Sequence, residues 1–215
     1  ILTPMTNLKK RWDVAPKLSP EANLALADYP AVTRQLLFNR GITTAEDAQV
    51  FLQASGSLHD PFRMTDMDKA VARLAEAVQQ AQPIAIYGDY DVDGVTATAL
   101  LVQVLQRMGA NTRAYIPNRF EEGYGLNIDA LESLFAEGVR LVVTVDCGIR
   151  SPREAARCRE IGLDLLITDH HEPLDNEIPP AYAVICPKRA GDPYPDKNLA
   201  GVGLAFKLAE ALLTL

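Results

Sequence analysis

Cysteine, histidine, positive charge and long apolar runs are all scarce in this chain, and each scarcity removes a class of function. Its 215 residues include three cysteines, Cys147, Cys158 and Cys186. An odd count without CxxC spacing speaks against a disulfide framework or a structural zinc site and points to reduced thiols. No apolar run approaches the roughly 20 residues that cross a bilayer. The first residues carry Lys9-Lys10-Arg11 where a signal peptide would have its apolar stretch, so the chain reads as cytoplasmic with no membrane partner. Lys and Arg total 21 against 28 Asp and Glu, a net charge of −7. That balance argues against a protein that coats nucleic acid through a cationic surplus. It leaves room for an enzyme whose carboxylates hold divalent cations, because bound metal reverses the local field. Hydrophobic content of 48% and charge of 23% are ordinary for a folded chain.

Histidine is scarce in an informative way. There are three, and two of them are adjacent in Asp169-His170-His171. The triplet directly follows 163–168, a short apolar run of strand type. Neutral imidazole suits transition metals and titrates near neutral pH, so a carboxylate and two imidazoles at a strand end resemble part of a site. A polar loop that happens to hold two histidines is the plainer explanation, and it gives way only if other segments supply ligands.

Residues 1–80 read as a small helical extension. Thr43-Thr44-Ala45-Glu46 has capping-box form. Met67, Ala70, Val71, Leu74 and Val78 recur at helical spacing and predict a helix over 66–81. From residue 81 to 215 strands and helices alternate. Strands are expected at Ile84–Tyr87, 112–116, Leu141–Val145, 163–168 and 181–186. Helices are expected at 95–108, 127–137, from Ser151 (a cap serine followed by proline and a capping-box glutamate at 154) to Gly162, and at 203–215. Near-continuous apolar strands between helices indicate an α/β domain with a parallel sheet of about five strands, flanked by helices on both faces. The last helix has no stop signal, and its apolar stripe needs a partner, so the chain is expected to be a piece of a longer protein.

In open parallel sheets ligands bind beyond the carboxyl ends of the strands. Three expected strands end in candidate ligands: Gly88-Asp89-Tyr90-Asp91-Val92-Asp93-Gly94, Asp146-Cys147-Gly148 and Asp169-His170-His171. So many carboxylates on one edge need a counter-charge. Mixed carboxylate and imidazole donors suit Mn²⁺, with Mg²⁺ an alternative. Two ions about 3.5–4 Å apart would stabilise both oxygens of an in-line phosphoryl displacement. Metal-assisted phosphoester hydrolysis is the reaction class these residue types serve. Two other motifs fail. An EF-hand loop starting at Asp89 would need a bidentate glutamate where Leu100 stands. The haloacid-dehalogenase phosphatase motif, matched by Asp91-Val92-Asp93-Gly94, would continue with threonine rather than Val95 and would leave the histidine pair unused.

Taken together, these residues resemble the DHH phosphoesterase superfamily and, within it, the RecJ-type single-strand-specific DNA exonucleases. The resemblance runs through Lys10-Arg11-Trp12, Asp60-Pro61, Met67-Asp68-Lys69-Ala70 and Tyr87 to Gly94. It continues through Ile116-Pro117-Asn118-Arg119, Glu122-Gly123-Tyr124-Gly125-Leu126-Asn127, Asp146-Cys147-Gly148, Asp169-His170-His171-Glu172 and Gly201-Val202-Gly203. It implies a DHH domain and a Mn²⁺- or Mg²⁺-dependent exonuclease that degrades single-stranded DNA from 5′ to 3′. Such an enzyme releases 5′-mononucleotides in recombination and repair, with a single-strand-binding protein and a helicase as partners. Carried over by position, Asp89, Asp91, Asp93, Asp146 and His170 are metal ligands, Asp146 bridging two ions. The resemblance places Asp169 as the residue that orients an imidazole and His171 as a donor to the scissile phosphate. Asn118 and Arg119 would contact substrate phosphate, Tyr124 would stack or donate a hydrogen bond, and Gly201 and Gly203 would let backbone approach the site.

The family has one more metal-binding aspartate downstream of the Gly-Val-Gly segment, and DHH-associated and oligonucleotide-binding domains beyond it. None of these falls within the chain, and Cys186-Pro187 stands where the family has Asn-Pro. Weak or absent nuclease activity is therefore expected of the chain by itself. Two other functions compete: a DHH phosphatase or oligonucleotidase acting on small nucleotides, and a non-catalytic DHH module such as a related replicative-helicase subunit. Loss of carboxylates would mark the latter, yet each motif position within the chain retains its ligand type.

Overall fold

The computed structural model describes residues 13–53, 58–118 and 125–214. The Lys10-Arg11-Trp12 motif, Arg119 and Tyr124 lie outside the described residues. The chain divides into two units, Ile1–Leu58 and His59–Leu215. In the first, α1 (Pro20–Ala25), α2 (Ala31–Phe38) and α3 (Ala45–Gln53) are each too short to persist alone. They share a small core of Leu26, Leu37 and Ala48. The capping box of α3 is shifted by one residue from the sequence reading. The Thr44 hydroxyl accepts from the Asp47 N–H at 3.1 Å and donates to the Asp47 carboxylate at 2.9 Å.

The second unit begins well before residue 81, because α4 (Met67–Gln79) packs with the sheet. Met67, Ala70, Val71, Leu74 and Ala77 of α4 join the core on one sheet face. A break near residue 80 was suggested by the change of texture there, but texture does not show where an amphipathic helix buries its stripe. At its start, Asp66 adopts a left-handed backbone (φ 65°) and leaves α4 without a side-chain cap. Its carboxylate instead binds Lys69 at 2.8 Å and Arg189 at 3.2 Å, and accepts from the Val184 N–H at 3.3 Å.

Five strands form one parallel sheet in the order β2-β1-β3-β4-β5. They are β1 (Ile84–Tyr87), β2 (Thr112–Tyr115), β3 (Leu141–Val145), β4 (Asp164–Thr168) and β5 (Ala183–Ile185). The helices between them are α5 (Val92–Arg107), α6 (Ile128–Ala136) and α7 (Pro152–Ile161), and α8 (Gly201–Leu212) follows β5. Strand side chains alternate strictly between two cores. Ile84, Ile86, Val143, Leu166 and Ile185 meet α4, α5 and α8, whereas Ala85, Tyr87, Val142, Leu165 and Val184 meet α6 and α7. Burial on both faces is why β1 and β3 are almost wholly apolar, Thr144 being the buried exception in β3.

Two helix starts differ from the sequence reading. Helix α5 begins at Val92 rather than 95, because the Asp91 carboxylate accepts from the N–H groups of Asp93 and Gly94 at 2.8 and 3.0 Å. The first turn of α5 therefore lies inside the aspartate-rich segment, and Leu100 falls in mid-helix. Helix α8 begins at Gly201 rather than 203. Its cap comes from Asp93, whose two carboxylate oxygens each accept at 2.7 Å from the N–H groups of Gly201 and Val202. A cap borrowed from 108 residues away leaves no local signal. At α7 the expected serine cap is absent, since Ser151 makes no side-chain capping bond.

Candidate metal centre

The sheet order has a switch point between β1 and β3. From β1 the chain crosses to β2 on one side, then returns over β1 to β3 on the other. Helices leave in opposite directions there, opening a crevice at the carboxyl ends of the two strands. Strand register aims the candidate ligands into it. Tyr87 pairs with Thr144, so Asp89 and Asp146, each two residues further on, fall side by side. Val145 pairs with Thr168, so Asp169 falls beside Asp146 in turn. The ladders run past the strand ends to hold these positions. The Asp146 N–H donates to the Thr168 carbonyl and the Asp169 N–H to the Ile185 carbonyl, both at 3.1 Å.

Asp146 is central. It has a left-handed backbone (φ 62°), a conformation that costs a non-glycine residue about 1–3 kcal/mol and recurs at functional sites. Its carboxylate is shared by two groupings in which one ligand atom per residue lies within 4.8 Å of the others: Asp89, Asp91 and Asp146, and Asp146, His170 and His171. Oδ1 of Asp146 is buried without a hydrogen bond, although His170 Nε2 lies 3.0 Å away. Burial, then the negative charges of Asp93 and Asp91, push the Asp146 carboxyl up to about 7. A buried, under-partnered carboxylate among others is what a cation would relieve, and the oxygen and nitrogen donors fit a hard or borderline divalent ion. Sulfur does not compete. The Cys147 thiol is pushed far up by burial, then by Asp169 and Asp89, and stays protonated.

The other sequence candidates among the described residues can be placed. Asp89 is 4% exposed and accepts from the Tyr90 N–H at 2.7 Å. Asp91 caps α5 through Oδ1. Asp93 stands outside both groupings because it caps α8, with Oδ2 at 3.6 Å from His170 Nε2. The imidazole that Asp169 contacts is that of His171: Oδ1 meets His171 Nδ1 at 2.7 Å and accepts its backbone N–H at 3.1 Å. Oδ2 accepts from the Ile149 N–H at 2.9 Å. The Asp169 hydrogen bond raises the His171 pKa against an opposing effect of burial. Asn118 is exposed, three residues beyond β2 on the same sheet edge.

Close approach calls for glycine at Gly94 and Gly201. A Cβ on Gly94 would stand 2.6 Å from both the backbone N and O of Asp89. A Cβ on Gly201 would stand 2.7 Å from the Asp146 Cβ and 2.9 Å from its Oδ1. Gly201 thus lets backbone approach the site, as expected, while the nearest side chain to Gly203 is Leu199. One residue escaped the sequence reading. Arg150, exposed in the loop after β3, lines a pocket with His171 and Asp169. A lone arginine at a helix entry carries no motif, and only its position in the Asp146-Cys147-Gly148 loop hints at the site.

The chain is similar to known proteins in sequence and in fold. Residues 83–214 match the model of the DHH family, N-terminal domain. The chain is 49% identical over 209 residues to the single-stranded-DNA-specific exonuclease RecJ of Bacillus subtilis, covering 95% of this chain and 26% of that protein. It is 39% identical to the RecJ of Salmonella typhimurium over 190 residues, covering 87% and 32%. The crystal structure of Thermus thermophilus RecJ in complex with Mn²⁺ superposes with a TM-score of 0.69 at 31% identity, covering 90% of this chain and 26% of that one. The chain therefore spans about a quarter to a third of the relatives it matches. On the family match, the ordered motifs and the sheet that carries them, the chain belongs to the DHH family, alongside the RecJ exonucleases it resembles.

Proposed function

We propose that this chain forms the metal-holding part of a single-stranded-DNA exonuclease that works from 5′ to 3′ and releases 5′-mononucleotides in recombination and repair. The observation that carries the reading is Asp146, a buried carboxylate shared by two ligand groupings at the switch point of the sheet. RecJ relatives are named for this substrate, and one is solved with Mn²⁺. Asp89, Asp91 and Asp146 would hold one Mn²⁺ or Mg²⁺ and Asp146 with His170 the other, with Asp93 within reach of the second. Two such ions supply charge neutralisation for the phosphoryl oxygens and activation of water.

The protein's own groups do the rest. Asp169 holds His171 by Nδ1, which turns Nε2 outward as a donor to charge developing on the phosphate. It also stabilises the imidazolium without moving, because the Ile149 N–H pins its second oxygen. Asn118, Arg119 and Tyr124 are proposed to contact the strand. A role in recombination and repair supports a cytoplasmic setting, with a helicase and a single-strand-binding protein as the partner classes that generate and hold such strands.

The test is Mn²⁺-dependent release of mononucleotides from single strands labelled at either end, by the full-length protein. His170→Ala should lower the rate by more than the 10–100-fold typical of losing a residue that merely orients a ligand. Undiminished activity in that variant would overturn the assignment. Faster turnover of dinucleotides than of long strands would favour a small-nucleotide phosphodiesterase instead.

A further inference from the structure

Two fully buried threonines flank Asp146, Thr144 in β3 and Thr168 in β4. We infer that Thr144 is a positioning residue for metal binding, its hydroxyl holding the main chain at Asp146 in the conformation that presents the carboxylate. The inference rests on the reading of Asp146 as a metal ligand in an exonuclease and adds a residue to it.

Thr144 is out of keeping with its strand. The other residues of β3 are Leu141, Val142, Val143 and Val145, and valine has nearly the shape of threonine. A hydroxyl taken from water into such surroundings is costly unless it is hydrogen-bonded. Thr144 Oγ1 donates to the Cys147 carbonyl at 2.7 Å, three residues on, and so closes the turn over Asp146. Cys147 is itself buried, so its carbonyl has to find a donor within the protein.

The turn is not one the chain would adopt freely. Asp146 is left-handed, and Gly148 has φ 109°, a conformation that glycine tolerates and other residues rarely adopt. A Cβ on Gly148 would stand 3.0 Å from Thr144 Oγ1, so the turn leaves the hydroxyl its space. Strained backbone persists only where neighbouring contacts over-determine it. Three contacts do so here. The first is the Thr144 hydroxyl on the Cys147 carbonyl. From β4, Thr168 Oγ1 donates to the Thr144 carbonyl at 2.7 Å, and the Thr168 carbonyl accepts the Asp146 N–H at 3.1 Å. The main chain is thus tied before, at and after Asp146 by bonds that use none of its carboxylate.

The experiment titrates Mn²⁺ into the full-length protein and reads the free ion by electron paramagnetic resonance, which needs neither substrate nor turnover. Thr144→Val keeps the shape and removes the hydroxyl. It should weaken Mn²⁺ binding about 10–100-fold, the range for residues that hold ligands in place. Thr144→Ser returns the hydroxyl without the methyl group. It should restore the affinity while melting below wild type, having lost a buried methyl. Thr112→Val is the control. Its hydroxyl is also buried and donates to the Ile84 carbonyl at 3.4 Å, but at the amino ends of β2 and β1, away from the site. Mn²⁺ affinity should be unchanged there. A merely structural Thr144 would lower the metal-free Tm and leave Mn²⁺ affinity as it is, and that result overturns the inference. Equal loss of affinity in Thr144→Ser and Thr144→Val also overturns it, because the hydroxyl would then not be what matters. So does a Thr144→Val chain that cannot fold, since the hydroxyl would then serve the fold as a whole. Absence of Mn²⁺ binding by the wild type would overturn the metal reading and this inference with it. Failure of the exonuclease reading alone looks different: the wild type would bind Mn²⁺, and Thr144→Val would bind it less, yet neither would hydrolyse single strands.

Discussion

Asp146 concentrates the chemistry of this molecule in one side chain, and its protonation gives the reading a pH signature. Its carboxyl sits at about 7 against an ordinary 3.8, through burial first and then the charges of Asp93 and Asp91. Without metal the folded state therefore holds this proton more tightly than the unfolded chain does. The stability due to the group is full below 3.8 and is lost as pH rises towards about 7. A divalent ion held there would take the place of the proton and would have to displace it to bind. The rise in Tm on adding Mn²⁺ should be small at about pH 5.5 and large at about pH 8, and scanning calorimetry across that range reads it. A pH-independent rise, or one that survives in Asp146→Asn, would contradict the assignment. At this scale the sequence was highly legible for identity and less so for role. Asp89, Asp146, Asp169 and the histidines announce themselves by type and by position after apolar strands. That Asp169 serves His171, that Asp93 caps a helix, and that Arg150 faces a pocket depend on rotamers and distant partners, which spacing does not encode.

At the scale of elements, α8 is coupled to the site through its first turn. Asp93 supplies the cap and Gly201 the clearance above Asp146. Gly201→Ala sets two effects against each other. Alanine favours a helix by about 1 kcal/mol over glycine. The new Cβ, however, lies 2.7–2.9 Å from Asp146 atoms and must push that carboxylate aside. The expected outcome is a metal-free Tm close to wild type with most of the Mn²⁺-induced rise lost, both visible in one thermal-shift series. A full Mn²⁺ response would show that Asp146 does not need its present position. Gly94→Ala differs, because its Cβ meets the Asp89 backbone at 2.6 Å and backbone cannot swing away. A loss of about 1–3 kcal/mol in denaturant unfolding is expected there. Strand positions were readable to within two residues, best at β1, β3 and β4, where burial on both faces writes near-continuous apolar runs. The starts of α5 and α8 were not, because their caps lie in the aspartate motif.

For the molecule as a whole, the placement of α4 decides where the sheet unit begins. Met67 and Leu74 are fully buried and Val71 nearly so, and burying each such side chain contributes about 1.5–3 kcal/mol. Arg73 adds a clamp from α4 to the start of β4, 2.7 Å from Asp164. A chain starting at His59 should melt cooperatively, whereas one starting at residue 81 should lose cooperativity and bind a dye for exposed apolar surface. Equal behaviour of the two would place α4 outside the folding unit. The sequence by itself determined the α/β class, the parallel sheet, and strands that end in candidate ligands of a type suited to a divalent metal, because apolar periodicity and ligand type are local properties. Only the tertiary structure decided the strand order β2-β1-β3-β4-β5, the register that sets Asp89, Asp146 and Asp169 abreast, and the cap that joins α5 to α8. Those depend on which distant segments pair and pack, and a parallel sheet joins its strands through crossovers whose order no local pattern records.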